Sequence, residues 1–397
     1  VTATVELLQT KAGIEWFDYQ LAALTRAAGQ PGPAQRLCLY YKTGAGKTLT
    51  ALGLVALWGH SDVLVVAPPS THEQWVKAGS TIGVNVEAMS HAKFRRQDTK
   101  LRRDQAVIAD EFHLFGGHNG QGWKKLDKLA QHLQAPMVLA SATPNYNDAE
   151  RVYCIQHILD PHSVKGGYLA FLYANCTTEE NFFGRMPKVT GFQRYRDAAE
   201  YLAALDKVEY LKDDLVYKIH DTPIHSVVPT ALRDYGYNAR SGRIIASQIE
   251  ERHALINLAL VNDYGRIYDY VYDIIKAQVE SQSTPTLVFA AHATVAEALG
   301  VSLLRDKVSF RVVTGALSGK RKQQAIDAFI GGQIQVLVGT ASLATGTDGM
   351  DKVCDSLLIL DDTDDDALRR QLIGRIMPRG ADATSSHTKY VQRLVLS

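Results

Sequence analysis

Two series of short apolar runs, each alternating with helical patterns, constrain this chain's fold more than any other feature. "RLCLYY", "SDVLVVAP", "QAVIAD" and "PMVLAS" are compact, rich in β-branched or aromatic residues, and bounded by turn residues. Runs of this kind suit strands buried on both faces of a parallel sheet. "KTLTALGLVALWG" and "WKKLDKLAQHLQ" lie between them and read as helices. A second series, "TLVFAAH", "SFRVVTG", "IQVLVGT" and "SLLILDD", starts near residue 286 and alternates with "TVAEALGVSLLRD" and "GKRKQQAIDAFIGG". Repeated strand–helix alternation predicts an α/β fold. The intervening region is tyrosine-rich, and "YRDAAEYLAALDKVEYLKDDL" and "ERHALINLALVNDYGRIYDYVYDIIKAQVE" read as helical. The expected organisation is one α/β lobe over residues 1–160, a helical connector over 161–280 and a second α/β lobe over 281–397.

Composition narrows the partners. Hydrophobic residues make up 46% and charged residues 21%, enough for a sizeable core. Forty-three basic residues against 42 acidic ones leave a net charge of +1. Any phosphate-backbone partner must therefore be met by local positive charge. The four cysteines are scattered and form no C-x-x-C pair, so four reduced, buried thiols are expected rather than a zinc site. No apolar run approaches a bilayer-spanning length, and the first residues lack a basic segment followed by an apolar one. These features lead to the expectation of a cytoplasmic or other reducing intracellular compartment and no membrane partner.

The chemistry starts at "TGAGKT", Thr43 to Thr48, between "RLCLYY" and "KTLTALGLVAL". A glycine-rich strand-to-helix turn lets backbone N–H groups approach phosphates, and the helix N-terminus adds partial positive charge. Thr43, Gly44, Ala45, Gly46, Lys47 and Thr48 form the expected cradle. Lys47 is expected to reach the β- and γ-phosphates, and the Thr48 hydroxyl to ligate Mg²⁺. The full P-loop pattern asks for glycine where this chain has Tyr41. Some 60 residues on, "AVIADEFHLF" ends an apolar run in Asp110 and Glu111. Carboxylates at the end of a buried strand are costly unless a cation meets them. Asp110 is expected to hold Mg²⁺, and Glu111 to orient or deprotonate the attacking water. In "DDTDDDALRRQLIGRIMPRG", Gln371 and Arg375 are four apart and share a helix face, apart from Leu368, Leu372 and Ile376. A planar guanidinium suits the charge of a transferring phosphoryl group.

Together these motifs resemble superfamily 2 helicases. "DEFH" resembles the DEAD/DEAH box, and "SATP", Ser141 to Pro144, the third motif, which implies a coupling role for Ser141 and Thr143. Finer features resemble the Swi/Snf-type DNA translocase branch. These are "WFDYQLAAL", "VLVVAPPSTHEQW" ending in Trp75, and "SATPNYNDAERVYCIQHILDP". "GTASLATGTDGMD" resembles the fifth motif, "QLIGRIMPRG" the sixth, and "KYVQRLV" the strand after it. The resemblance touches most of residues 14–160 and 286–395. It implies two RecA-like lobes with ATP between them. Gln20 would hydrogen-bond adenine, with Tyr19 or Phe17 near the base. Thr340 would contact a nucleic-acid phosphate, while Gly346 and Asp348 would lie at the nucleotide. Asp348 stands where the Swi/Snf branch usually has Asn. Arg375 matches the sixth motif directly. Pro378 occupies the position of its last arginine, and Arg379 follows one residue later as the candidate finger.

Candidate nucleic-acid contacts lie in "SHAKFRRQDTKLRRD", where Lys93, Arg95, Arg96, Lys100, Arg102 and Arg103 concentrate charge. The same run could equally be a solvated face. "GKRKQ" at 319–323 is a weaker candidate. The function expected is a DNA-dependent ATPase moving along double-stranded DNA with little sequence preference. The alternatives are a fork- or branch-remodelling helicase, and an ATP-gated DNA-binding adaptor working within a larger complex with a protein partner.

Overall fold

The computed structural model describes residues 13–28, 35–42, 44–97, 101–102, 105–131, 134–142, 149–180, 186–211, 219–224, 237–238, 243–244, 277, 285–305, 308–343, 349–361, 366–377 and 389–396. The chain divides into two compact units, Val1–Asp214 and Leu215–Ser397.

In the first unit, α1 (Asp18–Ala28) precedes β1 (Arg36–Tyr41) and α2 (Lys47–Leu57). There follow β2 (Asp62–Val66), α3 (His72–Ile82), β3 (Asn85–Met89) and α4 (His91–Arg96). Then come β4 (Ala106–Asp110), α5 (Gln121–Gln131), β5 (Met137–Ser141) and α6 (Ala149–Leu159). The unit continues with α7 (Gly167–Asn175), β6 (Cys176–Glu179), β7 (Lys188–Phe192), α8 (Ala198–Ala203) and β8 (Val208–Leu211). Six strands form one sheet in the order β3-β2-β4-β5-β1-β8, with every pairing parallel. The central strands are the ones read as continuous apolar runs: every residue of β1, β4 and β5 is buried. The edge strand β3 alternates exposed and half-buried positions, as a strand covered on one face should.

Side-chain alternation divides the core into two layers. Leu37, Leu39 and Tyr41 of β1 face Leu24, Leu52 and Trp75, whereas Cys38 and Tyr40 face Phe112, Leu126 and Tyr153. Trp75, Gly79 and Ile82 line the buried face of α3 at helical spacing. The guanidinium of Arg36, at the start of β1, donates to the Ile158 carbonyl at 2.7 Å and to the Ala130 carbonyl. It thereby ties the C-terminal ends of α5 and α6 to the central strand, where carbonyls lack intrahelical partners.

The second unit contains β9 (Ile219–Ile224), the short hairpin β10 (Tyr237–Asn238) and β11 (Arg243–Ile244), β12 (Thr286–Ala290) and α9 (Ala293–Arg305). It continues with β13 (Phe310–Val313), α10 (Gly319–Ile330), β14 (Val336–Gly339), β15 (Ser356–Asp361), α11 (Asp366–Ile376) and β16 (Tyr390–Leu396). Its sheet runs β13-β14-β12-β15-β16-β9, again parallel throughout. Leu287, Phe289, Leu337, Leu357 and Ile359 pack on Ile326, Phe329, Leu372, Ile373 and Ile376.

The stretch read as a helical connector behaves differently where it is described. "YRDAAEYLAALDKVEYLKDDL" holds only the short α8, and "VEYL" becomes β8, which pairs with β1 and completes the first sheet. β9 joins the second sheet beside β16. The alternating Val-Glu-Tyr-Leu segment meets the free edge of β1, and ladder hydrogen bonds there outweigh its helical spacing. β6 and β7 form an antiparallel pair. Apart from residue 277, the helical reading over 251–280 lies outside the described residues. All four cysteines are buried and free, as expected. Among the described residues, no helix is long and apolar enough to cross a membrane.

Helix α3 lies so close to β3 that a Cβ at Gly79 would stand 2.4 Å from Val86 Cγ2 and 2.7 Å from the Val84 carbonyl oxygen. Helix propensity alone favours alanine by about 1 kcal/mol, but overpacking of this kind costs about 1–3 kcal/mol. Gly79→Ala is expected to lower stability in urea unfolding; an unchanged or raised midpoint would show that α3 does not seat this tightly.

Candidate active site

In open parallel sheets, ligands bind beyond the C-terminal ends of the strands. Tyr41, Asp110 and Ser141 are the last residues of β1, β4 and β5, so the motif residues share that edge of the first sheet.

The glycine loop leaves β1 and enters α2. Gly44 and Gly46 have φ of +79° and +72°, the left-handed region that glycine tolerates at least cost. Gly46 is the residue before α2, and no side chain caps that helix. Its first N–H groups and the dipole are thus presented to an anion. Helix α1 shapes the loop. Tyr19 donates its hydroxyl to the Ala45 carbonyl at 3.1 Å, and Gln20 Nε2 donates to the Gly46 carbonyl at 3.4 Å and to Thr50 Oγ1 at 3.0 Å. A Cβ on Gly46 would come within 2.4 Å of Gln20 Nε2. Lys47 Nζ donates to the carbonyls of Tyr41 at 3.0 Å and Lys42 at 3.4 Å, at the foot of the loop. Thr48 is half-buried in the first turn of α2, and Thr43 lies outside the described residues.

Tyr41 explains its departure from the glycine pattern. It is the last residue of β1, 2% exposed, and its ring meets Tyr19 edge-on at 5.5 Å. Tyr19 in turn stacks on Phe17 at 5.6 Å. The side chain is part of the buried core layer that also holds Leu24, Leu52 and Trp75. Gln20 is 3% exposed, and its carbonyl oxygen accepts from the Phe17 N–H at 3.0 Å. Its amide therefore braces the loop, an assignment that sequence spacing did not supply.

Asp110 is 7% exposed and held on both carboxylate oxygens. Trp75 Nε1 donates to Oδ2 at 3.2 Å, and the Glu111 backbone N–H donates to Oδ1 at 3.0 Å. Burial, followed by the neighbouring Glu111 charge, raises the Asp110 carboxyl above the usual range, while Lys47 opposes the shift. His91 Nε2 lies 2.9 Å from the Asp110 carbonyl oxygen. Burial lowers the His91 imidazole to about 4, so at neutral pH it is uncharged and its Nε2–H donates to that carbonyl. Glu111 adopts φ +45°, in the left-handed region that non-glycine residues enter rarely. Its carboxylate accepts from Ser141 Oγ at 3.4 Å and lies 3.2 Å from His113 Nδ1. His113 Nδ1 also lies 3.2 Å from Ser141 Oγ. The third motif thus touches the acidic pair through Ser141 and His113, while its Thr143 is outside the described residues.

This donor set suits Mg²⁺. Magnesium takes hard oxygen ligands, and commonly one or two carboxylates with phosphate and water rather than an all-protein cage. Asp110 supplies a carboxylate raised by burial and then by the Glu111 charge, and Thr48 supplies a hydroxyl at the start of α2. Among the described residues, no three His, Cys, Asp or Glu gather as a self-sufficient metal cage.

In the second unit, Gln371 and Arg375 are each 8% exposed, and Arg369 is 9% exposed. The face shared by Gln371 and Arg375 is thus largely covered, together with the apolar face of Leu372 and Ile376. Lys322 is 7% exposed, and its ammonium donates to the Ser342 carbonyl. Burial and then the nearby Arg375 charge lower it to about 8. This lysine of "GKRKQ" therefore packs under the fifth-motif loop, whereas Lys320 and Arg321 are exposed. Thr340 follows β14, its N–H donating to the Val313 carbonyl at 3.2 Å and its hydroxyl 3.4 Å from Ser342 Oγ. Gly346, Asp348 and Arg379 lie outside the described residues.

The basic run is only partly available. Lys93, Arg95 and Arg96 are exposed on α4, but Arg95 donates back to the Leu114 carbonyl at 3.1 Å. Arg102 pairs with Glu87 at 2.9 Å and Asp62 at 3.4 Å, so it is a structural ion-pair residue. Lys100 and Arg103 lie outside the described residues.

Comparison with known proteins bears on the fold. Residues 267–380 match the helicase conserved C-terminal domain. No curated protein matches the chain in sequence. Among solved structures, the chain is similar to Dbp5 from S. cerevisiae bound to RNA and ADP BeF3, with TM-score 0.59 and 13% identity over 99% of this chain and 87% of that one. A variant of Dbp5 bound to the same ligands gives TM-score 0.56 and 14% identity, covering 96% of this chain and 84% of that chain. A Dbp5 variant bound to a Gle1 variant and IP6 gives TM-score 0.57 and 13% identity, covering 99% and 86%. The fold is helicase-type, with two RecA-like lobes in tandem.

Because Tyr41 fills the core below the loop, Tyr41→Gly should not improve the phosphate cradle. The expected outcome is a stability loss of roughly 3–5 kcal/mol in urea unfolding, the range for deleting a large buried ring. A loss below about 1 kcal/mol, or tighter nucleotide binding, would show that the ring is dispensable.

Proposed function

We propose that the chain is a nucleic-acid-dependent ATP hydrolase of superfamily 2 that moves along double-stranded DNA. The observation that carries the hydrolase reading is the shared edge of the first sheet. An uncapped helix N-terminus with its lysine and threonine lies at one strand end, and the buried Asp110 followed by the half-buried Glu111 at another. The loop and Lys47 would bind the phosphates, Thr48 and Asp110 would hold Mg²⁺, and Glu111 would orient or deprotonate water. The metal would neutralise charge on the β- and γ-phosphates. Ser141 and His113 touch Glu111 and would relay its position to the third motif. Gln371, Arg375 and Arg379 are assigned to the transferring phosphoryl group by resemblance, as are Gln20 and the Phe17–Tyr19 pair to adenine, and Gly346 and Asp348 to the nucleotide.

The duplex-DNA reading rests on the Swi/Snf-like motifs, with Thr340, Lys93, Arg95 and Arg96 as backbone contacts. Phosphate contacts carry no sequence information, so binding should show little base preference and fall steeply with salt. A second reading has its own observation: two of the similar solved structures are bound to RNA. It makes the polymer RNA and leaves the ATP chemistry unchanged. A partner protein would set the target in either case.

ATPase rates with duplex, single-stranded and forked DNA and with RNA, side by side, separate the readings. Strongest stimulation by duplex supports translocation on DNA, strongest stimulation by RNA supports the second reading, and no stimulation by any polymer counts against both. Lys47→Ala is expected to abolish hydrolysis while the far-UV spectrum is retained. Glu111→Gln is expected to bind ATP and lose turnover by about 100-fold or more. Wild-type turnover in either variant refutes the assignment.

A further inference from the structure

Trp75 is the largest side chain in the molecule that is fully buried, at 1% exposed, yet it carries a polar N–H. A buried indole N–H needs an acceptor, and this one donates to Asp110 Oδ2 at 3.2 Å across 35 residues of chain. The indole sits on α3 in the same buried core layer as Leu39, Val65 and Ile108. Such packing leaves it little rotational freedom. The other carboxylate oxygen is fixed by the Glu111 N–H at 3.0 Å, and the Asp110 carbonyl by His91 at 2.9 Å. Two of the donors come from different helices and the third from the next residue in the chain, and they act on the side chain and main chain of one residue.

Two fixed donors, one on each oxygen, set the plane of the carboxylate while leaving a lone pair on each oxygen for other ligands. Both donors are uncharged, so they orient the group without supplying the positive charge that a buried carboxylate demands. Lys47 meets part of that demand, and a bound cation would meet the rest. We propose that Trp75 is a positioning residue, whose indole N–H locks the Asp110 carboxylate in the orientation that receives Mg²⁺. This inference deepens the ATP-hydrolase reading and rests on it for the identity of the metal. Partners that orient a metal-binding group typically contribute a factor of about 10–100 to metal affinity.

The contact and the metal effect can be read separately. The chain has four tryptophans, so its indole N–H signals in a ¹H–¹⁵N spectrum are few, and the one lost in Trp75→Phe identifies Trp75. In metal-free protein, Asp110→Ala is expected to move that signal upfield and speed its exchange with solvent; an unmoved signal overturns the contact. For the metal, Mg²⁺ is titrated against binding of a fluorescent ATP analogue. Trp75→Phe is expected to raise the Mg²⁺ midpoint about 10-fold or more, with Mg²⁺-free nucleotide binding unchanged. If phenylalanine fails to fold, benzothienylalanine at position 75 keeps the bicyclic shape and removes only the N–H, and the same rise is expected. A wild-type midpoint in a folded variant overturns the positioning role, and so does an equal loss of binding with and without Mg²⁺. Wild-type protein that binds no nucleotide at all sinks the ATP reading and the metal assignment with it, while the indole signal still decides the contact.

Discussion

A carboxylate at the end of a fully buried strand is the costly feature around which the first unit is arranged. Asp110 sits at the C-terminal end of β4, with β2 and β5 paired on either side. Burial and Glu111 both disfavour its charge, and Lys47 supplies only part of what would restore it. The fold answers with neutral donors from α3 and from the next backbone N–H. Those donors carry no charge, and the glycine loop with its lysine, at the end of β1, belongs to the same edge of the sheet. The strand order explains why these residues meet: β5 alone lies between β1 and β4, and its last residue, Ser141, reaches Glu111.

Much of this was legible in the sequence because buried parallel strands write themselves as unbroken apolar runs. All four runs in each series became strands, and the loop, Asp110 and Glu111 fell at the predicted strand ends. "VEYL" was hidden because a four-residue edge strand inside a longer tyrosine- and leucine-spaced segment has no periodicity of its own; only the vacancy beside β1 makes it a strand. Side-chain partners far apart in the chain were equally hidden. Arg102 reads as one more basic residue until Glu87 and Asp62 are found beside it. His91 and Trp75 give no pattern that announces a shared interest in Asp110. His113, the last letter of "DEFH", could have been singled out from its place beside the acidic pair.

The arginine helix shows a different limit. Spacing correctly separated Leu372 and Ile376 from Gln371 and Arg375, yet both faces are covered. Periodicity tells which residues share a face; it does not tell how much of each face the rest of the unit will cover. Lys322 belongs to the same lesson, since a lysine in a basic run is ordinarily solvated and this one packs beneath the loop after β14.

Tyr19 and Gln20 grip the carbonyls of Ala45 and Gly46, while Tyr41 anchors the start of the turn in the core. Freezing a backbone residue costs about 1–2 kcal/mol. Here that cost is met during folding, by neighbours on α1, and a guest arriving at the turn finds it already shaped. Recognition at such a cradle loses little to ordering, so even a small, strongly hydrated anion can be held by few contacts.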